Sequence, residues 1–254
     1  MPVSAKLSIY AINLDRSVER WKLLTDRAQA SGLDLVRVPA IDGRAISAEQ
    51  RIHARPTLFR MRNGRTMLPG EYGCYQSHLA ALRSFVESGA PAAVIVEDDV
   101  ELIADLDAQA AAILDAVPQA DLVKLLNHRN CGFLRKASSS QGHDIGRCLH
   151  GPLGSAACYL VTSAGARKLL EGLSVMSLPY DIALERGWAL GIEAYTVRNN
   201  VLPLGVLRSQ TEIATSKQYG AVKIRNLSRL LTHGFRAADY LRRLAYALRV
   251  PFTS

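Results

Sequence analysis

No stretch of this 254-residue chain approaches eighteen uninterrupted apolar residues, so the sequence predicts no membrane-spanning helix. Cysteine is scarce. Cys74, Cys131, Cys148 and Cys158 show no CxxC spacing and are too few to staple a chain of this length, so they read as reduced packing residues rather than a zinc module or disulfide framework. Glycine is missing where a dinucleotide-binding fold needs it, because the turn after the first expected strand is Asn13-Leu14-Asp15-Arg16. With no Walker phosphate loop either, a dehydrogenase and a P-loop NTPase are both disfavoured. The basic residues lack the interleaved aromatics of single-strand binding, so no nucleic-acid partner is expected. Neither a repeat nor a low-complexity tract occurs. The first six residues carry no secretory pattern and run straight into a strand, which predicts a cytoplasmic location.

With 48% hydrophobic and 21% charged residues, the chain can bury a sizeable core. Apolar periodicity predicts strands over 7–12, 33–39, 92–96, 122–126, 154–161 and 192–197, with helices over 18–31, 71–88, 102–117, 163–172 and 180–187. Residues 44–69 read as a long irregular, substrate-facing stretch and 130–147 as a polar excursion. Strands alternating with helices at this spacing predict an α/β fold of Rossmann type, a mainly parallel sheet with flanking helices. The expected division is a domain over 1–222 and a basic amphipathic helical tail over 223–254.

The richest stretch is Ala92-Ala93-Val94-Ile95-Val96 followed by Glu97-Asp98-Asp99. A buried strand that delivers three acids at its carboxyl end puts them where open α/β sheets bind ligands. Alternation along the strand sends Glu97 and Asp99 to one side and Asp98 to the other. Paired carboxylate oxygens suit a hard divalent ion, Mn²⁺ or Mg²⁺, carrying a phosphorylated ligand. The plain alternative is a solvated acidic turn capping the following helix.

Several blocks together resemble glycosyltransferase family 25, the lipooligosaccharide galactosyltransferase family that also includes collagen galactosyltransferases. They are Ile12-Asn13-Leu14-Asp15-Arg16-Ser17 with Arg20, Pro39-Ala40-Ile41-Asp42-Gly43, Gly70-Glu71-Tyr72-Gly73-Cys74 with Ser77-His78, and Val96 to Val100. Gly154-Ser155-Ala156-Ala157-Cys158-Tyr159-Leu160 with Gly165-Ala166, and Pro179-Tyr180-Asp181, complete the string over roughly residues 7 to 215. The resemblance implies a GT-A fold, a nucleotide-sugar donor, usually UDP-galactose, a divalent metal and inverting transfer to a sugar acceptor.

By the same resemblance Asp99 is the first-choice metal residue with Glu97 beside it, and Asp98 meets the donor. Asn13, Asp15 and Arg16 would receive the nucleotide, since amide and carboxylate edges bind ribose or base and arginine clamps phosphate. Ser77 and His78 would face the donor, Ser155 and Glu185 the acceptor, and Ser209, Gln210 and Ser216 would close over the diphosphate. Asp181 matches the family's downstream acid. It is the expected base taking the acceptor hydroxyl proton, with helix capping as the structural alternative.

The net charge of +8 gathers toward the C-terminus, where Lys223, Arg225, Arg229, Arg236, Arg242, Arg243 and Arg249 are opposed by Asp239 alone. Leu227, Leu230, Leu231, Phe235, Ala238, Leu241, Ala245 and Leu248 recur at helical steps. Such a segment can lie on an anionic inner-membrane surface or dock its leucines on the domain, and Gly234 permits a bend. The leading expectation is a metal-dependent glycosyltransferase moving a hexose from a UDP-sugar to a glycolipid or oligosaccharide acceptor. A magnesium-dependent nucleotidyl- or phosphotransferase and a non-enzymatic membrane-binding module are the competing readings.

Overall fold

The computed structural model describes residues 7–203, 222 and 229–249. In chain order the elements are β1 (Ile9–Asn13), α1 (Val18–Ala30), β2 (Leu35–Pro39), α2 (Pro56–Asn63), α3 (Pro69–Glu87), β3 (Ala92–Glu97), α4 (Leu106–Ala116) and β4 (Leu122–Lys124). Then come β5 (Cys131–Ser138), β6 (Asp144–His150), β7 (Cys158–Thr162), α5 (Ser163–Gly172), α6 (Tyr180–Leu184), α7 (Gly187–Leu190), β8 (Ala194–Val197) and α8 (Leu230–Leu248). The strands form one sheet in the order β2-β1-β3-β7-β4-β8-β6-β5.

The α/β class and the flanking helices match the sequence reading, and the sheet is mixed. β1 pairs in parallel with β2 and β3, and β4 with β8, whereas β7 runs antiparallel between β3 and β4. β6 reverses against β8, and β5 against β6. The polar stretch after residue 130 is therefore a β-hairpin. Its outer strand β5 is largely exposed on the sheet edge, so polar side chains such as Arg135 and Lys136 cost it nothing there and hid the strand pattern. Within the stretch expected to be irregular, Pro56 opens α2 and Gly64 ends it at φ 68° in the left-handed region.

Alternation along the central strands sorts the core onto two faces. Ile9, Ala11, Val94, Val96 and Leu160 meet Leu24 of α1 and Leu106 and Ile113 of α4. Tyr10, Ile12, Ile95, Tyr159 and Val161 meet Leu79, Leu82 and Phe85 of α3 and Leu169 of α5. Each such large side chain contributes about 1.5–3 kcal/mol when fully buried. The same alternation places Glu97 on the α3 face and Asp98 on the α1 face.

The tail helix α8 is continuous through Gly234, whose missing side chain would meet open space. It packs on α2, α7 and β6 with four of its five leucines left outside the contact and Leu244 half-buried. The docked face is polar and aromatic. The Thr232 hydroxyl donates to the Met61 carbonyl at 2.7 Å, and Tyr246 donates to the Ile192 carbonyl at 2.8 Å while accepting from the Ala194 N–H at 2.7 Å. Arg186 pairs with Asp239 at 2.8 Å, and Arg243 with Glu185 at 2.9 Å. Leu230, Leu231, Leu241 and Leu248 stay 63–65% exposed. Among the described residues, no helix is long and apolar enough to cross a membrane.

Candidate active site

A cleft opens at the carboxyl ends of β1 and β3, lined by Arg16, Arg20, Asp42, Cys74, His78 and the acids Glu97, Asp98 and Asp99, among others. Two glycines allow its wall to form. A Cβ on Gly43 would lie 1.9 Å from the Pro69 carbonyl oxygen, and one on Gly73 would lie 2.4 Å from that of Ile41, so only glycine lets this turn seat on the first turn of α3. Ser77 fastens the seat. Its hydroxyl accepts from the Ile41 N–H at 2.7 Å and donates to the Gly73 carbonyl at 2.7 Å. Asp42, carried to the cleft by this turn, pairs with Arg16 across it.

Asn13 works as a clamp below the cleft. Its amide donates to Asp98 Oδ2 at 2.7 Å and to the Ser17 carbonyl at 3.1 Å, and its oxygen accepts from Arg37 at 2.8 Å. Arg20 reaches the other oxygen of Asp98 at 3.1 Å. Burial raises the Asp98 carboxyl above its ordinary value, against the opposing pull of Asn13 and Arg20. Asp15 stands apart from the cleft lining; its side chain is exposed and pairs with Arg37 of β2 at 2.8 Å. Asp15 lies in the turn beyond the end of β1, where strand alternation no longer sets its direction.

On the α3 face, a chain of contacts leads inward from Glu97. Glu97 Oε1 is 3.2 Å from His78 Nε2, His78 Nδ1 is 3.2 Å from the Tyr159 hydroxyl, and that hydroxyl is 3.0 Å from the hydroxyl of Tyr180. The fully buried His78 ring stacks on Tyr180 at 4.2 Å. Cys74 lies one turn before His78 on the same helix face, and its sulfur, a His78 nitrogen and a Glu97 oxygen all fall within 4.8 Å of one another. Burial pushes the Cys74 thiol well up, reinforced by the charges of Glu97, Asp181, Glu71 and Asp99. Glu97, Asp98 and Asp99 all line the cleft.

Asp181 occupies the second helical position of α6, behind Pro179, which takes the cap position itself. Enclosure raises its carboxyl, and neighbouring Glu185 adds to the rise while Lys124 and the Ile182 N–H oppose it. Asp181 is not among the side chains that line the cleft, and its charge is one of those that raise the Cys74 thiol. Glu185 is a buried hub. It accepts from Lys124 at 3.1 Å, Arg243 at 2.9 Å, and the N–H groups of Leu153 and Gly154 at 2.9 Å each. These contacts fix the loop carrying Ser155, a left-handed residue at φ 64° whose hydroxyl accepts from the Ala157 N–H at 3.1 Å. Glu185 thus acts on Ser155 through the backbone, with its own oxygens engaged by protein groups.

Ser209, Gln210 and Ser216 lie outside the described residues. Sequence reasoning gave no role to Lys124 or Arg243, and treated Cys74 as packing. The C-x-x-x-H spacing of Cys74 and His78 was the available signal, since residues four apart share a helix face. Lys124 offered none beyond a lysine inside an apolar strand.

A sequence model described as glycosyltransferase family 25 (LPS biosynthesis protein) matches residues 6–184. Among curated proteins, a "Glycosyltransferase 25 family member" of Aedes aegypti is 30% identical over 171 residues, 64% of this chain and 28% of that protein. One of the same name from Drosophila pseudoobscura pseudoobscura is 28% identical over 184 residues, 66% of this chain and 28% of that protein. The chain thus spans little more than a quarter of the length of these relatives. With a match extending from the first strand to the helix that bears Asp181, the chain belongs to glycosyltransferase family 25.

Proposed function

We propose that this chain transfers a hexose, galactose first among the candidates, from a UDP-sugar to a lipopolysaccharide-type or other surface-glycan acceptor, with inversion. The observation that carries this reading is the gathering of Glu97, Asp98 and Asp99 with Arg16 and Arg20 in one cleft at the sheet's carboxyl edge. The family's description as an LPS biosynthesis protein supports the acceptor class. Glu97 and Asp99 would hold Mn²⁺ or Mg²⁺, and a donor set of hard carboxylate oxygens beside arginines fits a hard cation with a diphosphate. Such an ion, when bound, supplies charge neutralisation for the departing UDP.

The chain's own groups divide the remaining work. Arg16 and Arg20 offer planar donors to phosphate oxygens, and Asp98, held by Asn13 and Arg20, fixes the strand end that presents its neighbours. Asp181 takes the acceptor hydroxyl proton. Enclosure raises this carboxyl, and a raised carboxylate binds a proton more strongly than an exposed one, which favours it as a base. The locked Ser155 loop orients the acceptor.

α8 supports a partner and a location. With its polar face docked, Arg236 on the Asn63 carbonyl and Arg249 on Glu193, the outward leucines and Arg242 suit an anionic bilayer on the cytoplasmic side, where a lipid-linked acceptor would be met. The test of the reading is calorimetry with UDP and Mn²⁺ on the wild type and Asp99→Ala, followed by a donor screen for released UDP. Metal-dependent UDP binding that vanishes in the variant supports it. Preference for a nucleoside triphosphate, or binding indifferent to Asp99, overturns it.

A further inference from the structure

We infer that Cys74, His78 and Glu97 form a second kind of cation site in the same cleft, one for a borderline-soft divalent ion of the Zn²⁺ class. Three observations carry this inference. The donors are thiol, imidazole and carboxylate, a set that suits zinc and its analogues far better than Mg²⁺. They come from rigid elements, Cys74 and His78 from one face of α3 and Glu97 from the end of β3, so no loop has to order.

Their spacing is the second observation. Ligand atoms roughly 2.0–2.3 Å from a shared centre in tetrahedral array stand about 3.3–3.8 Å apart. His78 Nε2 and Glu97 Oε1 are 3.2 Å apart, and all three donor atoms lie within 4.8 Å, so about 1 Å of side-chain movement closes the set. Three protein ligands leave a fourth position open to the cleft, the pattern of a zinc site that exchanges ligands rather than a sealed structural one.

The third is the outer shell. A histidine that binds metal through Nε2 must carry its proton on Nδ1 and have somewhere to donate it. Here the Tyr159 hydroxyl stands 3.2 Å from Nδ1 and can pass its own proton on to Tyr180, 3.0 Å further. The stack of His78 on Tyr180 holds the ring in that plane.

Glu97 is shared with the hard-ion pair proposed above, so a soft ion held here would draw it away from Asp99. The inference itself concerns ion binding and stands apart from the transferase reading. Its test is titration of the purified chain with Co²⁺, followed by the near-ultraviolet thiolate-to-cobalt absorption, and competition with Zn²⁺. One equivalent should give the band, and Zn²⁺ should abolish it. Cys74→Ser should lose the band, while Cys131→Ser, which removes the exposed cysteine, should keep it. His78→Gln should weaken binding by more than the roughly 10–100-fold that loss of an outer-shell partner costs. Should Cys74→Ser fail to fold, Zn²⁺ protection of Cys74 from alkylation in the wild type, read by peptide mapping, decides the matter. A wild type without the band, a band that survives Cys74→Ser, or a Cys74 alkylated equally fast with and without Zn²⁺ overturns the site. UDP binding measured on the same samples separates the two ideas, since it can persist when the cobalt band is absent and disappear when the band is present.

Discussion

Arg243 of α8 donates to Glu185 at 2.9 Å, and both side chains are buried beneath the helix, with Lys124 closing on the same carboxylate from the sheet side. Removing one cation from this buried, hydrogen-bonded cluster leaves the carboxylate with Lys124 as its remaining charged partner. Arg243→Ala should therefore cost about 3 kcal/mol in urea unfolding, the low end for a broken buried pair and well beyond an exposed arginine such as Arg242. Equal midpoints for the two variants would reject the pairing as a stabilising contact.

The pH dependence of this hub has a definite sign. Burial alone would raise the Glu185 carboxyl, but Lys124 and Arg243 outweigh it and hold it below its ordinary 4.5. A depressed folded-state value means the stabilisation is complete above pH 4.5 and is lost as acid protonates the folded form. Thermal melts from pH 6 downward should show Glu185→Gln converging on the wild type at the acid end. A constant gap between the two curves would contradict this.

Asp181 sits on the opposite side of the ledger, with its carboxyl raised above the ordinary 3.8 by enclosure and by Glu185. If it is the base, the acid limb of kcat/KM lies above that value, since the protonated form cannot accept the acceptor's proton. Asp181→Asn should keep UDP binding and lose about 100- to 10,000-fold in turnover, the usual worth of a general base. Turnover near that of the wild type would remove Asp181 from the mechanism.

Gly73→Ala tests how the cleft wall is built. The added Cβ would meet the Ile41 carbonyl at 2.4 Å and force the Asp42 turn off α3. Overpacking of this kind costs about 1–3 kcal/mol, and UDP affinity should fall with it because Asp42 no longer meets Arg16. Unchanged stability together with unchanged UDP affinity would show that the turn and helix are not tightly seated.

Changing Leu230, Leu231, Leu241 and Leu248 together to serine should abolish flotation with anionic phosphatidylglycerol vesicles. Stability should move little, by about 0.5 kcal/mol per site, because these side chains lie outside the packed face. Binding of the wild type should weaken as salt rises. Retained flotation of the quadruple variant would assign the leucines no part in lipid contact.

Much of the sheet was legible because strands covered on both faces, as β1 and β3 are, are buried along their length and read as short apolar runs. The hairpin β5–β6 was not, because an edge strand needs no apolar alternation and Arg135, Lys136 and Ser138 satisfy it. At the site, Glu97, Asp98 and Asp99 announced themselves by following an apolar run directly. Lys124 and Arg243 did not, since their meaning depends on a carboxylate 61 and 58 residues away in sequence. The tail's amphipathic stripe was visible, yet which side of the helix faces the body was decided by specific polar partners, Thr232 with Met61 and Tyr246 with Ala194, that periodicity cannot register.

Because α8 anchors through Glu185, and Glu185 in turn grips the N–H groups of Leu153 and Gly154, the last helix and the Ser155 loop share a single fastening. A chain cut after residue 222 would not simply shed an appendage. It would strand a carboxylate beside Lys124 alone, uncover β6, and loosen the turn that holds Ser155 in its left-handed conformation.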